Sequence, residues 1–375
     1  MDLLVLNQLT ISNLRNISDV TIRPAHGINL ILGDNGSGKT TLLEAIHLLA
    51  LGRSFRTRTL KNAVQFGQQK LQIVAKIKND IPVGLLFDLT DGLQIRLNSA
   101  RVKKLSELAS QLPLQMIPAN CHQFFEQGPR YRRQLLDWGV FHVEPDFNYH
   151  WQSYRRVLQQ RNSALRQCKQ NDEIQLWDNH LANHGEQISR LRQQYLESLL
   201  DHFKAIFSRL CPEYLSATYS LRYQSGWQKE QSLKDVLSTT VERDKQLAYT
   251  RSGCHAADWT FKVNDSDPST IFSRGQQKLF FLALCMAQQQ AVVVNSIAKG
   301  NAAMSEIGII IIDDISSELD DQHQMLVLTE LANLHAQSFI TSTDLSLSKS
   351  IKTTEQNAVF HVKQGVVSNK DETLS

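Results

Sequence analysis

The sequence predicts a mixed α/β fold, with a head assembled from both ends of the chain and a mostly helical lobe inserted between them. Three observations predict it. A glycine-rich loop, Gly33-Asp34-Asn35-Gly36-Ser37-Gly38-Lys39-Thr40, stands between an apolar run and a helical pattern near the N-terminus. A run of apolar, β-branched residues, Ile307 to Ile312, ends in the carboxylate pair Asp313-Asp314 near the C-terminus. Between the two, glycine almost disappears: Gly185 alone lies between Gly139 and Gly226, and apolar residues recur there at helical spacing.

Composition bounds the function classes. The chain has 375 residues, 42% hydrophobic and 21% charged, as ordinary globular proteins do. That length predicts about two to three domains, each able to bury a core. The net charge is only +3, so a nucleic-acid surface has to be a local patch rather than a global field. Cys121, Cys168, Cys211, Cys254 and Cys285 form no C-x-x-C pair, which argues against a disulfide framework and a zinc site. No apolar run reaches the length of a membrane span, and the N-terminus lacks the basic start of a signal peptide. A cytoplasmic protein with no membrane partner is expected.

Taken in order, Leu3 to Ser12 and Asp19 to Arg23 read as strands around the turn Asn13-Leu14-Arg15-Asn16. Ile28 to Leu32 is a buried strand entering the glycine-rich loop, and Thr41 to Leu49 is the helix leaving it. Gly52 to Arg58 is basic and polar, either a solvated loop or a contact for phosphate or nucleic acid. Leu71-Ile73-Ala75-Ile77, Val83-Leu85-Phe87 and Leu93-Ile95-Leu97 alternate with polar residues, and with turns at Asn79-Asp80 and Asp91-Gly92 they predict an antiparallel meander. Ser106 to Leu112 is a short helix before Pro113, and Leu114 to Ile117 a further buried strand. From Arg130 to Lys169 eight Lys and Arg face three Asp and Glu, with Trp138, Trp151 and Tyr154 interleaved, which marks a basic patch. Leu181, Ile188, Leu191, Tyr195, Leu199, Phe203, Ile206 and Leu210 form the stripe of a helix ended by Pro212. With a turn at Asn171-Asp172, Asp146 to Leu210 makes a helical hairpin. Ala217 to Tyr223 and Trp259 to Val263 read as strands, Ser232 to Leu247 as helical and Gly253 to Asp258 as a loop. Ser273 to Lys278 leads into a helix from Leu279 to Val294. After the carboxylates come a helix (Gln322 to His335), a strand (Ser338 to Thr341), a hairpin through Gly365 and a polar tail from Ser368. The head is therefore placed at 1–127 and 248–375, and the helical lobe at 128–247.

The glycine-rich loop matches G-x-x-x-x-G-K-[ST] at every fixed position and has the strand and helix the motif needs. Its backbone N–H groups wrap a phosphate chain, and the helix N-terminus adds partial positive charge. Lys39 is placed to reach the β- and γ-phosphates and the Thr40 hydroxyl to hold Mg²⁺. Asp313 and Asp314 close a strand at its C-terminal end, where α/β sheets place ligands. The first carboxylate there supports Mg²⁺, and the second orients and polarises the attacking water.

Ser273-Arg274-Gly275-Gln276 resembles the signature loop of ABC-type ATPases, whose usual form is S-G-G-Q. Ser317-Glu318-Leu319-Asp320 resembles their D-loop. The long separation of phosphate loop and signature resembles the SMC-type branch rather than transporters, so the expected fold is an ABC/SMC-type P-loop ATPase head. Within that branch the chain resembles the RecF family over essentially its whole length. The likeness rests on Asn13-Leu14-Arg15-Asn16, Asn35, Gly128-Pro129 with Arg132-Arg133 and Leu136-Asp137, Phe272 to Gln276, and Asp313-Asp314 with Ser317 to Asp320.

The resemblance implies an ATP-dependent DNA-binding protein of recombinational repair and replication that works as a slow, DNA-stimulated ATPase switch. It implies ATP held by Gly33, Asp34, Asn35, Gly36, Ser37, Gly38, Lys39, Thr40 and Thr41, with Mg²⁺ on Thr40 and Asp313, and Lys39 and Asp314 as catalytic residues. It implies a head-to-tail homodimer, in which Ser273, Gly275 and Gln276 of one subunit cover the γ-phosphate held by Lys39 of the other. It also implies binding to gapped duplex and single-strand/double-strand junctions, and work with RecR and RecO to load RecA. Three departures stand out: Thr341-Ser342-Thr343-Asp344 where ABC ATPases place a histidine, Ala256-Ala257 where the family has Arg and Asp, and no acidic pair after Pro118. The candidate DNA contacts are Arg53, Arg56, Arg58, Arg130, Arg132, Arg133, Arg155, Arg156 and Arg161, while the histidines read as ordinary surface or core residues.

Two other classes compete: a P-loop small-molecule phosphotransferase, which has no use for the signature loop, and a transporter subunit, which needs a shorter spacing. Ser273→Arg separates the first of these from the switch. The variant is expected to bind ATP as a monomer and to lose nucleotide-driven dimerisation in light scattering; dimerisation that persists removes the signature loop from the interface.

Overall fold

The structure, a computed structural model, describes residues 6–77, 80–167, 169–298, 308–334, 336–351, 353–354 and 356–369. The strand start expected at Leu3, the turn residue Asn79, Cys168, Ile307, His335 and the end of the polar tail lie outside the described residues. The chain divides into two compact units, Met1–Cys121 with Arg274–Ser375, and His122–Ser273.

The first unit opens with β1 (Leu6–Leu14), β2 (Ile17–Ile22), β3 (Ile28–Leu32) and α1 (Lys39–Leu51). It continues through β4 (Lys70–Ile77), β5 (Ile81–Asp88), β6 (Gly92–Leu97), β7 (Ala100–Arg101), α2 (Leu105–Gln111) and β8 (Leu114–Ile117). The second unit holds α3 (Gln123–Glu126), α4 (Pro129–Val143), α5 (Phe147–Arg166), α6 (Asn171–Gln175) and α7 (Asp178–Leu210). It closes with β9 (Tyr219–Gln224), α8 (Leu233–Thr239), α9 (Val241–Leu247), β10 (Asp258–Val263) and α10 (Pro268–Ile271). The first unit resumes with α11 (Arg274–Ala298), β11 (Ile309–Ile312), α12 (Asp321–Asn333), β12 (Gln337–Ser342), β13 (Ala358–Lys363) and β14 (Val366–Asn369).

Two sheets build the first unit. The order β2-β1-β4-β5-β6-β7 is the antiparallel meander, extended by the β1–β2 hairpin. The order β14-β13-β3-β12-β11-β8 is the core sheet, parallel throughout except at the β14 edge. Every residue of β3, β11 and β12 is buried, as expected of strands covered on both faces. Helix α1 contacts strands of both sheets, and almost all of it is buried, including the polar Glu44 and His47. A helix enclosed on all sides has no need of a polar face.

In the second unit α5 and α7 pack as the expected hairpin, but Asn171 opens the short helix α6 instead of making a simple turn. Pro129 starts α4 with Gly128 as its cap, a position where the missing N–H costs nothing. The segment 248–273, placed with the head from sequence, belongs to this unit because β10 pairs antiparallel with β9 along its whole length. The basic stretch also changes meaning. Arg161 is fully buried, donating from Nε to Asp178 at 2.8 Å and from Nη1 to Asp244 at 2.7 Å and Thr250 at 2.8 Å. Arg132 forks onto Asp258, and Arg133 donates to the Ala257 carbonyl. Arg161 drops out as a DNA contact, because a guanidinium fully buried against its partners cannot also face a phosphate, whereas Arg132 and Arg133 are half-buried while making these bonds within the unit. Tyr154, interleaved in the basic stretch, is core, donating to His255 Nδ1 while His255 Nε2 donates to the Thr250 carbonyl.

His47 gives a pH-dependent element to the first unit. Its Nδ1–H donates to the Arg53 carbonyl at 2.7 Å, clasping the basic segment to α1. Burial pushes its pKa down to about 4 from the ordinary 6.5, against the pull of that hydrogen bond. Between these values the unfolded chain holds the extra proton, so stability rises with pH across the window and is lost as pH falls through it. Parent protein is expected to lose about 1.4 kcal/mol per pH unit through this group. His47→Asn keeps a donor without the titration, and denaturation curves between pH 6.5 and pH 4 should show the smaller loss in the variant.

Candidate functional site

The site lies at the C-terminal edge of the core sheet, where β3, β8, β11 and β12 all end. There a cavity of about 430 Å³ is lined by Asn35, Gly36, Gly38, Lys39, Thr40 and Thr41 from the loop and α1. Asp313, Asp314, Thr341 and Thr343 line it from β11 and β12, and Ala119 from beyond β8. Arg15, Asn16 and Arg56 complete the wall.

The loop is braced from distant parts of the chain. Asn16 Nδ2 donates to the Ser37 carbonyl at 3.0 Å, while its Oδ1 accepts from Thr41 Oγ1 at 3.0 Å. Gly365 N–H, in the β13–β14 turn, donates to the same carbonyl at 2.7 Å. Gly33 has φ +157°, and a Cβ there would lie 2.3 Å from the Val362 carbonyl oxygen, so only glycine lets the loop leave β3 beside β13. Ser37 Oγ is buried with no hydrogen-bond partner among the described residues. Lys39 Nζ folds back onto the Gly33 carbonyl at 2.7 Å and the Asp34 carbonyl at 2.9 Å. Burial lowers the Lys39 pKa, and Asp314, Asp313 and Asp34 oppose that shift.

The carboxylates meet the loop directly. Thr40 Oγ1 donates to Asp313 Oδ1 at 3.0 Å, and Thr341 Oγ1 donates to the same oxygen at 2.9 Å. Thr341 Oγ1 also accepts from the Asp314 N–H at 2.8 Å. Asp314 sits in the left-handed region at φ +55°, and Ser316 Oγ donates to its Oδ1 at 2.9 Å. One hydroxyl and one carboxylate side by side, open to a cavity, fit Mg²⁺, which takes few protein ligands and fills its shell from water and phosphate oxygens. Among the described residues no group of three or more His, Cys, Asp or Glu stands ready to hold a metal alone.

Beneath the loop, fully buried Glu44 accepts a forked pair from Arg15 at 2.8 Å each, with Ser54 and Arg56 joining. Burial alone would raise its pKa, but the bonds from Arg15 and Ser54 hold the carboxyl below the ordinary value. Arg56 is thus tied to α1 on one side of the cavity and not simply a free loop arginine.

The signature residues lie elsewhere. Ser273 ends the second unit, and Arg274 opens α11 itself, so Gly275 and Gln276 occupy the first turn of the helix instead of a loop before it. A Cβ on Gly275 would lie 2.7 Å from the Glu318 carbonyl oxygen, so this turn packs tightly against the segment after the carboxylates. Gly275 and Gln276 are not among the residues lining the cavity of their own chain. Sequence reasoning missed Thr341 as a partner of both carboxylates, although it had marked the segment as lacking a histidine. It quoted Arg15 and Asn16 as family traits without a role, and Glu44 left only a faint trace, a carboxylate inside an apolar helix.

A strand, phosphate loop and helix, with a carboxylate pair on the strand next but one in the sheet and a separate signature helix, define an ABC/SMC-type P-loop head. The profile of the RecF/RecN/SMC N terminal domain matches residues 5–368. The DNA replication and repair protein RecF of Nitrosococcus oceani is 40% identical over 367 residues, 96% of this chain and 98% of that protein. The protein of the same name from Psychromonas ingrahamii is 37% identical over 366 residues, 96% of this chain and 99% of that one. The chain belongs to the RecF family. Among solved structures, the recombination mediator RecF with ATP superposes with a TM-score of 0.83 at 24% identity, covering 97% of each chain. An SMC head bound to the C-terminal winged-helix domain of ScpA superposes at 0.60 and 13% identity, covering 98% of this chain and 99% of that one. At these identities the likeness carries the fold. Among the described residues no helix is long and apolar enough to cross a membrane.

Thr341→Val is expected to destabilise the protein by about 1–3 kcal/mol, since it leaves the Asp314 N–H without its acceptor. Thr341→Ser, which keeps the hydroxyl, should recover most of that loss in a urea titration.

Proposed function

We propose that the protein is an ATP-dependent DNA-binding switch of replication and recombinational repair, working as a nucleotide-sandwiched homodimer. The observation that carries it is the 3.0 Å contact between Thr40 Oγ1 and Asp313 Oδ1, which brings the two halves of a nucleotide site together from opposite ends of the chain. The loop backbone and Lys39 hold the phosphates of ATP, and Thr40 with Asp313 holds Mg²⁺. The ion, when bound, supplies positive charge to the phosphate oxygens. Asp314 takes the proton of the attacking water. With Ser316 donating to Oδ1, its Oδ2 is the oxygen left to do so. Thr343, at the cavity wall where ABC ATPases have a histidine, offers a hydroxyl that cannot carry a charge, so turnover is slow and the bound state long-lived.

That Gly275 and Gln276 do not line their own chain's cavity supports a signature helix that serves a second copy. Each subunit then completes the other's site, and hydrolysis releases the pair. The exposed arginines Arg53, Arg58, Arg130, Arg155 and Arg156 remain as phosphate contacts for DNA at gaps and single-strand/double-strand junctions. Kinship with RecF proteins, one of whose solved structures is assigned to a RecFOR pathway, supports RecR and RecO as partners in RecA loading.

Light scattering with ATP and Mg²⁺, with and without gapped DNA, tests this reading. The parent should dimerise, Lys39→Met should remain monomeric, and Asp314→Asn should hold the dimer longer. A parent that stays monomeric under every condition overturns the sandwich.

A further inference from the structure

Lys278, in the second turn of α11, is fully buried and takes no part in the site as described so far. Its Nζ donates to the Asp314 carbonyl at 2.7 Å, the Ser317 carbonyl at 2.6 Å and Ser317 Oγ at 2.8 Å. A buried ammonium is costly, and an apolar side chain of similar volume would fill the same space more cheaply. Here three oxygens receive it, and all three belong to the segment that runs from the catalytic carboxylate into the D-loop.

That segment is strained. Asp314 and Glu318 both adopt left-handed φ, +55° and +66°, which non-glycine residues hold only when the surroundings enforce it. Three side chains enforce it at Asp314: Thr341 Oγ1 accepts its N–H, and Lys278 Nζ and Ser317 Oγ both donate to its carbonyl. The Asp314 carboxylate thus projects from a residue whose two flanking peptide units are both held. One of the grips comes from the helix that begins with the signature. Gly275 and Lys278 are three residues apart and so share a face of α11. Gly275 presses on the Glu318 carbonyl, while Lys278 holds those of Asp314 and Ser317.

We infer that Lys278 is a positioning residue that transmits the placement of the signature helix to the Asp314 carboxylate, so that engagement of a second copy's nucleotide by the signature sets the geometry of hydrolysis in this copy. The inference rests on the proposed nucleotide sandwich, in which the signature acts on one nucleotide and Asp314 on the other. Any shift or rotation of the first turns of α11 moves the Nζ and with it the peptide bearing the carboxylate. Loss of the bond leaves the phosphate loop, Thr40 and Asp313 untouched, so binding and hydrolysis should separate.

The test uses the full chain, a fluorescent ATP analogue for affinity, and an ATP titration for kcat and KM. In Lys278→Met, nucleotide affinity and KM should stay within about twofold of the parent while kcat falls about ten- to a hundredfold, as expected when a reacting group is misplaced rather than removed. Lys278→Arg, which can still donate to the same carbonyls, should recover part of kcat. Ser317→Ala buries no new charge, removes one acceptor of Lys278 and one donor to the Asp314 carbonyl, and should lower kcat about threefold at constant KM. It keeps the idea exposed to failure even when Lys278→Met does not fold. Parental kcat in Lys278→Met, or a parallel loss of affinity and kcat that Lys278→Arg does not relieve, overturns the inference. Lys39→Met and Asp314→Asn run in the same assay. If Asp314→Asn hydrolyses ATP at the parental rate, the reading of the site itself fails and the inference falls with it. If Asp314→Asn is inactive and Lys278→Met is not, only the role of Lys278 fails.

Discussion

One carboxylate oxygen, Asp313 Oδ1, receives hydroxyl hydrogens from Thr40 and from Thr341, and much of the first unit is arranged so that it can. For Thr40 to arrive, β3 has to end beside β12 and the phosphate loop has to turn back over the sheet edge. For Asp313 to arrive, four isoleucines have to lie flat between β8 and β12 in parallel register. Both conditions follow from burial on two faces, which fixes how far each strand reaches before the chain can leave the sheet. The functional groups then project from the ends of rigid strands, and hydroxyls, not charges, join them. A hydroxyl can stay bonded to the carboxylate or yield to a cation without leaving a buried charge unpaired.

The glycine-rich loop is itself held by chain segments more than 300 residues apart. Asn16 comes from the first hairpin and Gly365 from the last, and both reach the Ser37 carbonyl. Asn16 also lines the cavity wall whereas Gly365 does not, but each fixes the path of the loop backbone. Glu44 plays a comparable part beneath it: a buried carboxylate neutralised by Arg15 and Arg56 binds the first hairpin, α1 and the basic segment into one piece. Lys278 adds the same kind of constraint from the opposite side, gripping the turn that carries Asp314. The site is thus a set of backbone turns, each clamped by a polar side chain from elsewhere in the fold.

The second unit uses its arginines differently from what a count of charges implies. Arg161 and Arg192 are among its most buried side chains, each forked into carboxylates and carbonyls. Breaking such a pair strands the partner's charge, so these residues report on the integrity of the unit rather than on its ligands. The alanines at 256 and 257 fit this picture. Arg133 binds the Ala257 carbonyl, a contact that any residue at that position supplies, and the Ala257 side chain is itself buried.

The sequence by itself determined the phosphate loop, the carboxylate pair, the buried strands and the family, because these are local: a spacing of glycines around Lys39, a run of isoleucines, a periodic stripe on α7. It also determined the long separation that makes one site from two ends of the chain. Only the tertiary structure decided which polar residues meet. Thr341 and Lys278 carry no pattern of their own, and their partners lie 27 and 36 residues away. Arg161 looked like its exposed neighbours Arg155 and Arg156 until Asp178 and Asp244 closed on it. The lobe boundary likewise moved to 273/274 because a strand at 258–263 found its partner at 219–224. Helical and strand periodicity record which face of an element is buried, whereas hydrogen bonds between elements depend on packing angles that no local pattern encodes.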